Sequence, residues 1–141
     1  MTYDSKTRIM VFGTFDVLHK GHLNFFKQAR ALSKKPYLIV SVARDINVKR
    51  IKGTRPRSTE KQRLALIKKC QLVDKAVLGA IKSHIPHITR EFPDIISLGY
   101  DQHAYVGNLK NLLKKAGLQV KVIRLKAFYP KIYKSSLFKS L

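Results

Sequence analysis

Apolar and polar positions recur along the chain in two periods, and the switches between them mark its elements. Arg8 to Gly13 is a short run dominated by Ile9, Val11 and Phe12, which predicts a strand. After a loop, Leu23, Phe26, Ala29 and Leu32 recur at helical spacing. Tyr37 to Ala43 is apolar almost throughout and bounded by charge, the pattern of a strand buried on both faces of a parallel sheet. Ala76 to Gly79 and Asp94 to Gly99 are further strand-length runs ending in glycine, with a helix-like segment around Ile81 to Phe92 between them. Another helix is expected from Val106 to Ala116, closed by Gly117 as a left-handed cap, and Val120 to Leu125 roughly alternates as a fifth strand.

The stretch from Arg44 to Ser58 carries six Lys or Arg residues together with Gly53 and Pro56 and shows no periodicity that would bury a face, so it reads as an exposed loop. Thr59 followed by Gln62 fits a capping box and starts a helix running to about Lys69. Ser135 or Ser136 is placed to cap a short C-terminal helix. Strict alternation of short strands and helices predicts an α/β fold: a doubly wound parallel five-stranded sheet, Rossmann-like, because each right-handed crossover lays its helix on a sheet face. Such sheets bind ligands beyond the carboxyl ends of their strands. No repeat, low-complexity tract or linker divides the sequence, which reads as a single domain over residues 1–141.

Composition narrows the class. With 45% hydrophobic and 26% charged residues, 7 Gly and 5 Pro, a packed core is expected rather than disorder. The only cysteine, Cys70, forms no internal disulfide, as expected of a reducing compartment. No apolar run approaches the roughly 18–20 residues of a membrane span, and the N-terminus shows no export signal, so the expected address is the cytoplasm with no membrane insertion. The formal net charge of +21 predicts attraction for phosphates, nucleic acid or anionic lipid without saying which.

The chemistry concentrates in Gly13-Thr14-Phe15-Asp16-Val17-Leu18-His19-Lys20-Gly21-His22, between the first strand and the first helix. Gly13 and Thr14 place backbone N–H groups at the strand's end, and Gly21 allows close approach of a ligand. The helix start adds unpaired N–H groups and a positive dipole end. His19 and His22, three residues apart, can both face one phosphate, and imidazole donors suit a site where charge builds up on a phosphoryl group. On spacing alone the pair is more often a surface coincidence or half of a metal site; the strand, the glycine turn and the helix start around it favour the phosphate reading.

His19-Lys20-Gly21-His22 after a glycine turn resembles the His-x-Gly-His element of the cytidylyltransferase-like nucleotidyltransferases. Ala43-Arg44-Asp45, Val48-Lys49, Arg55-Pro56, Glu60-Lys61-Gln62-Arg63 and Leu98-Gly99-Tyr100-Asp101-Gln102 extend the resemblance over most of the chain, toward archaeal-type FAD synthases. It implies transfer of AMP from ATP to the phosphate of FMN, giving FAD and pyrophosphate, with a divalent cation, Mg2+ in the expected case, neutralising the triphosphate. It implies a nucleotide site of Gly13, Thr14, Phe15, His19, Lys20, Gly21 and His22. Asp16 holds the metal or, equally, orders the loop. Lys49 and Arg55 reach the phosphates and Arg63 grips the leaving pyrophosphate, while Arg50, Lys52 and Arg57 read as solvated cations. Asp101 accepts from ribose or base, or caps a helix; Gln102 reads the base edge; Ser135 and Ser136 donate to the triphosphate, or simply cap. Small members of the superfamily often pair as dimers, so a homodimer stays open.

Other readings remain. Glycerol-3-phosphate cytidylyltransferase, using CTP, keeps the chemistry, but its terminal Arg-Thr-x-Gly-Ile-Ser-Thr-like segment is poorly matched by Leu125 to Ser136. The cluster of Phe128, Tyr129 and Tyr133 suits a flat isoalloxazine or a core equally. The cysteines that archaeal FAD synthases carry near the C-terminus are absent from Phe128 to Tyr133, so thiol dependence is not expected. A basic nucleic-acid-binding protein without chemistry would account for the charge, and nonspecific binding of RNA is expected from it, but it leaves the histidine pair unexplained.

Overall fold

The computed structural model describes residues 5–54, 56–100, 102 and 108–126. Their elements are β1 (Thr7–Gly13), α1 (Lys20–Arg30), β2 (Pro36–Val42), α2 (Asp45–Lys52), α3 (Glu60–Lys68), β3 (Lys75–Leu78), α4 (His84–Glu91), β4 (Ile95–Leu98), α5 (Leu109–Lys115) and β5 (Lys121–Arg124). The five strands form one sheet in the order β3-β2-β1-β4-β5, every pair parallel. This is the doubly wound α/β fold that the alternation of elements predicts.

Successive strand residues point to opposite faces, and the core divides accordingly. Ile9, Val11, Leu38, Val40 and Val42 pack against Phe26 and Ala29 of α1 and Ile67 of α3. Met10, Ile39, Ile96 and Leu98 pack against Ile88 of α4 and Leu109 and Leu113 of α5. The chain builds β1, β2 and β3 outward in one direction, then crosses to the other side of β1 for β4 and β5. Loops leaving the carboxyl ends of β1 and β4 therefore diverge, and sheets of this kind bind ligands in the crevice outside such a switch point.

The expected loop from Arg44 to Ser58 is corrected: α2 occupies Asp45–Lys52. Its inward side chains include Asn47 and Val48, 8% and 3% exposed, so one of them is polar and the apolar count misses the face. Asn47 replaces apolar contact with hydrogen bonds, its Nδ2 donating to the Ala80 carbonyl at 2.7 Å and its Oδ1 accepting from Arg50. Gly53, at φ +80°, ends the helix in the left-handed region. Helix α3 starts where the Thr59–Gln62 pattern predicts: Thr59 Oγ1 accepts from the Gln62 N–H at 3.2 Å and Gln62 Oε1 accepts from the Thr59 N–H at 2.9 Å. Among the described residues no helix is long and apolar enough to cross a membrane. The expected C-terminal helix at Ser135 or Ser136 and the aromatic cluster of Phe128, Tyr129 and Tyr133 lie outside the described residues.

Candidate active site

Beyond Gly13 the chain turns through Thr14, Phe15 and Asp16 at the carboxyl edge of the sheet. Phe15 sits at φ +55°, a left-handed conformation uncommon for a bulky residue. Its ring folds back over Gly13, where an added Cβ would lie 2.5 Å from Phe15 Cζ. A side chain at position 13 would therefore have to displace the phenyl ring. The ring is 3% exposed and lies 5.5 Å from that of Phe26, centroid to centroid. The side chain of Phe15 therefore belongs to the core, which leaves only its backbone for the expected contact with a nucleotide.

His19 is the N-cap of α1, and its Nδ1 accepts from the Gly21 N–H at 3.0 Å. His22, at the third helical position, returns the favour: its Nδ1 accepts from the His19 N–H at 3.3 Å. This is a capping box built from two imidazoles. An Nδ1 that accepts a hydrogen bond carries no proton, so in the neutral form both rings hold theirs on Nε2 and donate from it. The rings stack with centroids 3.9 Å apart at 25°, and His22 meets the Phe15 ring at 5.4 Å and 71°. Burial holds the His19 pKa below the usual 6.5, which favours the neutral donor. No acidic residue stands in the first turn of α1 to oppose an anion.

Of the other expected residues, Lys20 is exposed at the helix start and Lys49 is exposed on α2. Arg63 differs from expectation. It is fully buried, with Nη1 donating to the Thr14 carbonyl at 2.9 Å, Nε to the Ser58 carbonyl at 3.2 Å and Nη2 to Asp45 Oδ1 at 2.6 Å. It grips the protein's own loops in place of a pyrophosphate. Gln102 is likewise redirected: its Nε2 donates to the Phe12 carbonyl at 2.6 Å and its Oε1 accepts from the Gly99 N–H at 2.7 Å, so both ends of the amide stitch β4 to β1 rather than read a base. Asp16 takes the second of its two expected roles, accepting the N–H groups of Arg57 at 2.8 Å and Ser58 at 2.9 Å. Its oxygens order the loop ahead of α3, and no group of three or more His, Cys, Asp or Glu side chains gathers as a metal cage among the described residues. Asp16 thus stands apart from any such cage, with both carboxylate oxygens already accepting backbone N–H groups. Arg55, Asp101, Ser135 and Ser136 lie outside the described residues.

Sequence reasoning named Arg44, Asp45 and Glu60 only within the resemblance and missed that they, with Arg124, brace this edge. The Asp45 N–H donates to Glu60 Oε1 at 2.9 Å, and the Glu60 N–H donates to Asp45 Oδ2 at 3.1 Å. The first residues of α2 and α3 thereby cap one another, and Arg44 Nε adds an ion pair to Glu60 at 2.9 Å. Arg124 Nη1 donates to the Gly99 carbonyl at 2.9 Å and that of Gln102 at 3.0 Å, pinning the turn after β4. The available signal was scarcity: only 8 acidic residues occur in the chain, and two of them stand at adjacent helix starts.

Two imidazole donors at a helix N-terminus beside an amide-lined turn can stabilise negative charge on a phosphoryl group. Comparison with known proteins agrees with that chemistry. A family model described as cytidylyltransferase-like matches residues 10–140. The sequence is similar to an FAD synthase of Methanothrix thermoacetophila, 44% identical over 119 residues that cover 84% of this chain and 80% of that protein. It is similar to an FAD synthase of Thermococcus sibiricus, 39% identical over 141 residues, covering 99% of this chain and 91% of that protein. Among solved structures, a lipopolysaccharide core biosynthesis protein from Thermoplasma volcanium superposes with a TM-score of 0.80 at 37% identity, over 88% of this chain and 99% of that one.

Proposed function

Since the chain belongs to the cytidylyltransferase-like family, we propose that it is an FAD synthase, transferring AMP from ATP to FMN with release of pyrophosphate. A phosphate oxygen of FMN attacks the α-phosphorus of ATP in line; the new P–O bond forms as the bond to the β-phosphate oxygen breaks, and its electron pair leaves with pyrophosphate. The attacking oxygen is already ionised near neutral pH, so no general base is needed. What remains for the protein is positioning and charge stabilisation.

The capping box of His19 and His22 carries this reading: with each Nδ1 accepting a backbone N–H, the neutral rings bear their protons on Nε2, the atom we assign to the phosphate oxygens. The N–H groups of the turn at Thr14 and Phe15 and the first turn of α1 seat the triphosphate, while Gly13, whose own N–H belongs to the β1–β2 ladder, gives the turn its room. Lys20 and Lys49 supply mobile cations at its rim, while Asp101 serves the ribose or base and Ser135 and Ser136 the phosphates. A divalent cation, Mg2+ in the expected case, would neutralise charge on the triphosphate when bound with it. The single cysteine favours a cytoplasmic enzyme, and a homodimer stays open.

The test is pyrophosphate release across ATP and CTP against FMN, glycerol 3-phosphate and phosphopantetheine. Release is expected with ATP and FMN together, with FAD as product. Turnover confined to CTP and glycerol 3-phosphate would reject the flavin assignment.

A further inference from the structure

We propose that Arg63, aimed by Asp45, is a positioning residue that turns the Thr14–Phe15 peptide so that its N–H faces the α-phosphate of the bound nucleotide. The inference rests on the nucleotidyl-transfer reading above and assigns the device that aims one of its donors.

A trans peptide is planar, with its carbonyl and N–H on opposite sides. The Thr14 carbonyl is taken by Arg63 Nη1 at 2.9 Å, from a guanidinium with no exposed surface. Holding that oxygen inward obliges the Phe15 N–H to face outward, away from the core. Among the described residues no acceptor meets that N–H. The turn is not one the chain adopts at rest, since Phe15 is at φ +55° and a left-handed non-glycine residue needs surrounding structure to hold it. Two contacts hold it: the Phe15 ring clamped over Gly13 and the guanidinium on Thr14.

The guanidinium is itself fixed. Asp45 supplies its counter-charge at 2.6 Å, and a buried cation without such a partner is strongly disfavoured. Asp45 is locked in turn by mutual capping with Glu60, and Arg63 also holds the Ser58 carbonyl, next to the N–H groups that Asp16 accepts. Three separate loops, ending β1, opening α2 and opening α3, therefore converge on one planar fork. Lysine, whose donors sit on a single nitrogen, lacks the planar fork that reaches these three acceptors from Nε, Nη1 and Nη2.

Arg63→Ala risks unfolding a fully buried site, so the decisive variant is Asp45→Asn, which keeps the shape and one acceptor while removing the charge. We expect kcat to fall by about tenfold to a hundredfold with the KM for ATP within about twofold, the pattern of a donor misaimed in the transition state. Selectivity between the two diastereomers of ATP carrying sulfur on the α-phosphate should fall with it. A readout free of turnover uses 15N-labelled protein and inorganic tripolyphosphate. In the wild type the Phe15 amide should shift on titration; in Asp45→Asn that shift should shrink while the first-turn amides of α1 keep theirs. Wild-type kcat and diastereomer selectivity in Asp45→Asn, or an undiminished Phe15 shift, would overturn the proposal, as would loss of every amide response together. If the wild type makes no FAD yet the Phe15 response is present and lost selectively in the variant, the flavin assignment falls and this one stands. A Phe15 amide silent in the wild type rejects the positioning role whatever the protein synthesises.

Discussion

In the mechanism proposed for them, His19 and His22 do two jobs with two nitrogens each: Nδ1 caps the helix and Nε2 donates to phosphate. The jobs can be separated. Gln at the third helical position of a capping box can reach back to the N-cap N–H as His22 does, but it offers no imidazole donor. His22→Gln is therefore expected to keep a thermal midpoint close to wild type while turnover falls by about 10²–10³. His22→Ala should lose both cap and donor, and a variant retaining near-normal turnover would remove the imidazole mechanism. Protonation offers a second handle. Burial lowers the pKa of His19, His84 and His87 from 6.5; at His87 the opposing Coulombic pull of Glu91 is smaller than the burial effect, and His84 and Arg90 add to the lowering. The unfolded chain then binds more protons than the folded one at pH values below about 6.5, so this stability is complete above that pH and is lost as pH falls through the window toward the folded values. Denaturant midpoints should drop on going from about pH 8 to about pH 5. His87, hydrogen-bonded to Ser41 at 2.8 Å inside the core, should account for part of the slope, and His87→Asn should flatten it.

Elements with one clear period were legible in the sequence. The strands were, because buried parallel strands are apolar on both faces, and so was the start of α3, because the Thr59–Gln62 box is a purely local pattern. Thr59→Ala should cost about 1 kcal/mol, read as a shift in the denaturation midpoint. Helix α2 was not legible, since half of its inward face is Asn47, satisfied by a carbonyl after β3 that only the fold brings near. The same reason hid the task of Arg63: sequence shows a guanidinium at the front of a helix but not which way the fold turns it. Gly13 was legible as a turn residue for the wrong cause, since the neighbour that excludes a side chain is the ring two residues on. Gly13→Ala forces that ring off its seat. It should destabilise by about 1–3 kcal/mol and impair ATP use together, measured by denaturation and by the KM for ATP. Unchanged stability would show that the ring can move aside and that the turn is less constrained than its packing implies.

At the scale of the whole molecule the two signs of charge have different uses. Every acidic residue in the described part is engaged: Asp45 with Arg63, Glu60 with Arg44, Asp74 with Arg30, Glu91 with Lys75, Asp16 with backbone N–H groups, and Asp94 with the Arg8 N–H. The carboxylates hold the fold, and among the described residues most lysines and arginines behind the net charge of +21 are exposed. That surplus creates a positive field around a site whose substrates are both anionic, ATP more so than FMN. The attraction is long-range and nonspecific, and salt screens it over about 10 Å at 0.1 M. The imidazole donors and turn amides act at contact distance and are screened far less. Raising salt from about 0.05 M to about 0.5 M should therefore raise the KM for ATP severalfold, and that for FMN by less, while kcat changes little. Added RNA should inhibit at the low-salt end by competing for the same field and lose that effect at the high end. A KM for ATP that is flat in salt would mean that the surplus charge lies too far from the crevice to gather substrate, leaving the short-range donors to bind it unaided.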